Sequence, residues 1–137
     1  MYKHVMVPID LRATEALEKA LTAAGQIAKL TGAEVTYVGI AGGAPSSTAH
    51  NPAEFREKLE AFAEEQAGTF GITARSHAVI SHDPEVEIGS SLVEAAEKMG
   101  VDLVVMASHI PGWVEHIFHS NAGYVACHAK CSVFVVR

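Results

Sequence analysis

Five short runs rich in Val, Ile, Leu and Met punctuate the chain: His4–Ile9 (HVMVPI), Glu34–Ile40 (EVTYVGI), Arg75–Ile80, Asp102–Ala107 (DLVVMA) and Ser132–Val136 (SVFVV). Several are almost continuously apolar rather than alternating. That pattern predicts strands buried on both faces, as in a parallel sheet covered by helices. Between the runs the apolar spacing changes to three and four. Ala16, Leu17, Ala20, Leu21, Ala24 and Ala28 form one such stripe, and Gly32 after Thr31 supplies a C-cap. A second helix opens on Asn51-Pro52-Ala53-Glu54, a capping Asn with Pro in the first turn and Glu three residues on, and carries Phe55, Leu59, Phe62 and Gln66 inward. A third starts at Asp83-Pro84, buries Ile88, Leu92, Ala95 and Met99, and stops at Gly100. A fourth starts near Ser120-Asn121 and turns Ala122, Val125 and Ala129 to the core, with His128 placed favourably against the helix dipole when protonated.

The predicted order is β-α-β-α-β-α-β-α-β. Strands alternating with helices imply right-handed crossovers and a parallel sheet, so the fold class is a doubly wound α/β domain. Only the segment AGGAPSSTAH, residues 41–50, reads as a long surface loop. No repeat or linker divides the chain, and residues 1–137 are expected to form one domain. A chain of this length buries roughly two thirds of its unfolded surface and needs no staple.

The formal charge of −6 then removes several function classes. Nucleic acid and anionic membranes are held largely through clustered Lys and Arg, and no two basic residues adjoin here. MYKHVMVPID is too briefly apolar for a signal peptide or a spanning helix. The only two cysteines, Cys127 and Cys131, have neither a disulfide framework nor the redox spacing and are expected to be small, partly buried residues. A cytoplasmic protein is the default expectation.

In open parallel sheets ligands bind beyond the carboxyl ends of the strands, where the winding reverses. The first strand ends in Asp10, whose carboxylate could accept hydrogen bonds from a ribose or cap the turn that follows. No acidic neighbour accompanies it to hold magnesium. The fourth strand ends Met106-Ala107-Ser108-His109. Ser108 and His109 point to opposite faces of an extended strand and make a poor nucleophile and base; the glycine-flanked nucleophile turn is absent too. His109, His116 and His119 have no acidic or thiol companion at a recognised metal spacing. Neither a metal site nor catalytic residues are therefore expected. Trp113, in a polar loop, is expected to pack beneath it.

Strand, polar loop and helix start follow one another in MASHIPGWVEHIFHSNAG, residues 106–123, the arrangement by which many α/β proteins hold a phosphate on backbone N–H groups. Yet Gly112 is the only glycine between the strand and Ser120-Asn121.

Taken together, MYKHVMVPID, EVTYVGI, DLVVMASHIPG and above all SNAGYVACHAKCSVFVVR resemble the universal stress protein family, and more closely its F/G-type branch of small single-domain members. The resemblance spans the whole chain. It implies a five-stranded parallel sheet in the order 3-2-1-4-5 and a homodimer paired through the last strand, here Ser132, Val133, Phe134, Val135 and Val136. An uncovered edge strand of that composition is an aggregation hazard unless another chain covers it. The family also implies a stress-response role without a defined enzymatic reaction, and in many members a crevice for AMP or ATP. Carried over, Pro8, Ile9 and Asp10 would lie by the ribose and adenine, Ile40 would meet the adenine through its backbone, and Met106 and Ala107 would wall it. Ser120 and Asn121 would face the phosphates.

The chain departs from the family's G-x2-G-x9-G-[S/T] pattern. Ala107 and Ile110 stand at the first two glycines, and His119 stands before Ser120 in a loop one residue short. His119 either obstructs the phosphates or donates to them below its ordinary pKa of about 6.5. His109 completes the candidate set at this loop. No Lys or Arg occurs from residue 99 to 129, so ATP is expected to bind weakly and AMP or adenosine to be better tolerated. Two function classes stay open: an adenine-nucleotide-binding stress protein, and a relative that binds no nucleotide and acts through protein–protein contacts.

Overall fold

A computed structural model of the chain describes residues 1–42, 49–81, 84–110 and 121–137, without the side chains of 84–87. Five parallel strands, β1 (His4–Ile9), β2 (Glu34–Ala41), β3 (Ala74–Ile80), β4 (Leu103–Ala107) and β5 (Ser132–Val136), form one sheet in the order β3-β2-β1-β4-β5. The helices are α1 (Glu18–Thr31), α2 (Pro52–Phe70), α3 (Pro84–Met99) and α4 (Asn121–His128). Fold class and strand order are as the sequence implies, with strand ends moved by a residue at most. The loop expected over residues 41–50 falls mostly outside the described residues, as do Asp83 and the segment 111–120.

The core is built on the central strands. Val5, Met6, Val7, Ile9, Val35, Tyr37, Val38, Val104, Val105 and Met106 are at most 1% exposed, which explains their near-continuous apolar runs. Close packing fixes where the helices lie. A Cβ on Gly25 of α1 would come within 2.5 Å of the Phe70 ring at the end of α2, and one on Gly39 of β2 within 2.8 Å of Phe55 of α2. Gly89 of α3 is pressed likewise against Tyr124 of α4. Helices α1 and α2 therefore share one layer, and α3 and α4 another.

Helix ends follow the sequence closely, with one exception. Asn51 caps α2 by accepting from Glu54 N at 2.9 Å, and Glu54 in turn accepts from His50 N at 3.1 Å. Gly32, Gly71 and Gly100 end α1, α2 and α3 with positive φ, where any side chain is strained. The exception is the start of α1. The stripe predicts helix from Ala16, but Thr14–Leu17 form a 3-10 turn before the α-helix begins at Glu18. Ala13 and Leu17, at the two cap positions, offer no side-chain acceptor to the first N–H groups. Phe62 and Met99 are half-buried rather than fully inside, with Ala63 taking the inner position beside Phe62.

The amino-terminal edge of the sheet is tied by polar bonds. The Asp102 carboxylate accepts from Lys3 N at 2.9 Å and His4 N at 3.1 Å, aligning β1 with β4. The His4 ring lies within 2.7 Å of Thr36 Oγ1 and 3.2 Å of Met99 O, linking β1 to β2 and to the end of α3.

Candidate functional site

The pairing of β1 places the site. Its register with β2 runs the full strand, from His4↔Glu34 to Ile9↔Gly39. Its register with β4 covers only Val5↔Leu103 and Met6↔Val104. Pro8, which has no N–H to give a ladder, follows two residues later. Past Met6 and Val104 the two strands are no longer in register, and here the winding of the sheet reverses, because β2 and β3 lie to one side of β1 and β4 and β5 to the other. A crevice at the carboxyl ends of β1 and β4 is what this topology provides.

Pro8, Ile9 and Asp10 stand at the end of β1, and Met106 and Ala107 at the end of β4; all are buried. Ile40 is half-buried and lies one residue beyond the last β1–β2 pair, so its backbone flanks the crevice outside that ladder. Asn121, only 7% exposed, opens α4. His109 is exposed, whereas Ile110, at the family's second glycine, is 4% exposed and packs into the core. His119 and Ser120 lie outside the described residues, as do Gly112, Trp113 and His116. The structure thus brings Pro8, Ile9, Asp10, Met106 and Ala107 to one edge of the sheet, with Ile40 and Asn121 on the elements that flank it.

Ser108 is half-buried and donates its N–H to Val136 O at 2.8 Å, holding the end of β4 to β5. Among the described residues no three His, Cys, Asp or Glu side chains gather where they could hold one metal ion.

Sequence reasoning missed Arg12. The Asp10 carboxylate, with 5% of its side chain exposed, accepts from Arg12 three times: from the backbone N at 2.9 Å and Nε at 3.0 Å on Oδ1, and from Nη2 at 2.8 Å on Oδ2. The carbonyl of Asp10 also accepts from Ala13 N at 3.0 Å, so Asp10 does organise the turn after β1. Its side-chain bond to Asp10, set against partial burial, holds the Arg12 guanidinium above its ordinary pKa. The crevice therefore has a cation, delivered by the β1–α1 turn rather than by the loop after β4. The spacing Asp-x-Arg directly after a buried strand was the available signal, since a short Asx turn brings the two side chains back together.

Two neighbouring features differ from expectation or lie apart. Cys127 is exposed rather than partly buried, because α4 turns Ala122 and Val125 to the core and Cys127 falls on the opposite side; Cys131 is half-buried, and burial raises its thiol pKa. A depression of about 350 Å3 sits near the amino-terminal ends of β4 and β5, where Glu97 and Lys130 pair at 3.3 Å beside Val101 and Cys131. It is at the opposite end of the strands from the crevice.

A model of the universal stress protein family matches residues 1–137. The universal stress protein G of Shigella flexneri is 31% identical over 143 residues, covering all of both chains. Among solved structures, a universal stress protein in complex with cAMP superposes with a TM-score of 0.71 at 23% identity, over 99% of this chain and 97% of the other. The universal stress protein from Archaeoglobus fulgidus in complex with dAMP gives 0.68 at 18% identity, over 99% and 98%. At those identities the two structures speak to the fold.

Proposed function

The chain belongs to the universal stress protein family, and from that premise we propose that it is a homodimeric, cytoplasmic binding module, not an enzyme, whose crevice takes an adenine nucleotide such as AMP. One observation carries the reading. A buried carboxylate, Asp10, ends the strand at the point where β1 and β4 lose register. The surrounding residues suit the parts of a nucleotide. Ile9, Met106 and Ala107 give an apolar floor for a base, Asp10 an acceptor for sugar hydroxyls, and the start of α4 at Asn121 a set of N–H groups for an anion. The two similar structures described with cAMP and dAMP support the ligand class.

The homodimer rests on β5. It pairs with β4 on one side and forms the edge of the sheet on the other, and Phe134 is 44% exposed there. An apolar edge strand of this kind invites pairing with a second copy. A further reading, a relative that binds partners but no nucleotide, draws on the Asp10–Arg12 pair, which already occupies the sugar's acceptor. Calorimetric titration of stripped protein with AMP separates the two readings. Binding tighter than about 100 µM, lost in Asp10→Ala, supports the nucleotide module. Absence of heat in the folded protein supports the second reading.

A further inference from the structure

The Asp10–Arg12 arrangement bears on which nucleotide-like molecules can enter. A carboxylate offers about four lone-pair positions to donors. Arg12 fills three of them: two on Oδ1, from its own backbone N and Nε, and one on Oδ2, from Nη2. At most one position is left, and a ribose brings two vicinal hydroxyls. A nucleoside can therefore engage Asp10 as a diol only by displacing the guanidinium. The displaced cation would lose a charge-assisted, two-pronged bond to a carboxylate that is itself 5% exposed, and such bonds are among the stronger ones in proteins. The Arg12 side chain is half exposed, so it can leave without unpacking the core. No other Lys or Arg follows in the loop after β4 or in α4 to meet an anion.

We propose that Arg12 is the specificity-determining residue of the crevice: it closes Asp10 in the empty protein and yields it only to a ligand whose anionic group takes the guanidinium in exchange. This rests on the nucleotide-binding reading above. It goes further, in that the site selects nucleoside phosphates over nucleosides through a cation outside the phosphate loop. A free nucleoside removes the guanidinium from its partner and gives nothing back. A nucleoside monophosphate supplies another oxyanion for the same planar fork.

The test compares AMP, adenosine and 2′,3′-dideoxyadenosine on the stripped full chain and on Arg12→Ala, each checked for native circular dichroism. In the parent, AMP binds at least about tenfold tighter than adenosine, and adenosine no tighter than its dideoxy analogue. In Arg12→Ala the carboxylate is open, so adenosine gains affinity and now exceeds the dideoxy compound, while the advantage of AMP over adenosine falls to within about threefold. Arg12→Lys, which keeps the charge but not the fork, covers the case in which Ala unfolds the chain: adenosine gains there too, with a reduced preference for AMP. An AMP-to-adenosine ratio unchanged in both variants, with binding intact, overturns the role of Arg12 and leaves the nucleotide site standing. No binding of any of the three to parent or variants overturns the site and this proposal together.

Discussion

Tyr37→Phe is expected to stabilise this protein. Tyr37 lies on β2, fully buried, with its ring 5.3 Å from that of Phe62 in an edge-to-face contact. Its hydroxyl is buried and has no hydrogen-bond partner among the described residues. A buried polar group without a partner costs about 1–3 kcal/mol of desolvation. Phe keeps the ring, its volume and the contact with Phe62, and removes only the oxygen. The expected gain is about 1 kcal/mol, or roughly 4 °C in Tm for a chain of this length. The same burial raises the phenol's pKa above its ordinary value near 10. Above that pH the unfolded chain releases the proton while the folded one keeps it. The folded state then binds more protons, so stability falls as pH rises, by up to about 1.4 kcal/mol per unit for this one group. The advantage of Tyr37→Phe should therefore be steady from pH 7 to 9 and widen above 10. Urea unfolding of both proteins across that range, with equal m-values, reads both effects. A variant less stable than the parent at pH 7 would mean that the hydroxyl is bonded. A gap that stays constant through pH 11 would refute the buried, shifted phenol.

Other outcomes follow from the packing and the edges. Asn51→Ala removes the cap from α2 and should cost about 1 kcal/mol in urea unfolding. Gly25→Ala drives a Cβ to within 2.5 Å of the Phe70 ring, and the overpacking should cost about 1–3 kcal/mol, whereas Gly68→Ala, with open space around it, should not destabilise. If the proposed homodimer pairs through β5, Phe134→Lys places a charge on that edge and should leave a folded monomer by sedimentation while the parent sediments as a dimer; a dimeric variant would put the interface elsewhere.

The fold was legible because its signals are local and redundant. The runs HVMVPI, EVTYVGI and DLVVMA became strands buried on both faces, and Asn51, Gly32 and Gly100 mark helix ends as their conformational preferences require. The site was legible only in part. Asp10, Ile9, Met106 and Ala107 could be placed because a parallel sheet puts strand ends on one edge. The cation could not be found by scanning the loop after β4, since it comes from the other strand's turn, two residues beyond Asp10. Ile110 read only as a departure at the family's second glycine; the structure shows its side chain turned into the core. Cys127 read as partly buried because free cysteines usually are, but α4 is short and directs Ala122 and Val125 inward, leaving Cys127 in solvent.

Backbone amide shifts of the full chain, recorded while AMP is added to about 1 mM, test the central claim most directly. The account predicts saturable shifts concentrated at Ile9, Asp10, Arg12, Ile40, Met106, Ala107 and Asn121. Shifts absent throughout, or gathered around Val101, Lys130 and Cys131 at the opposite end of the strands, would contradict it.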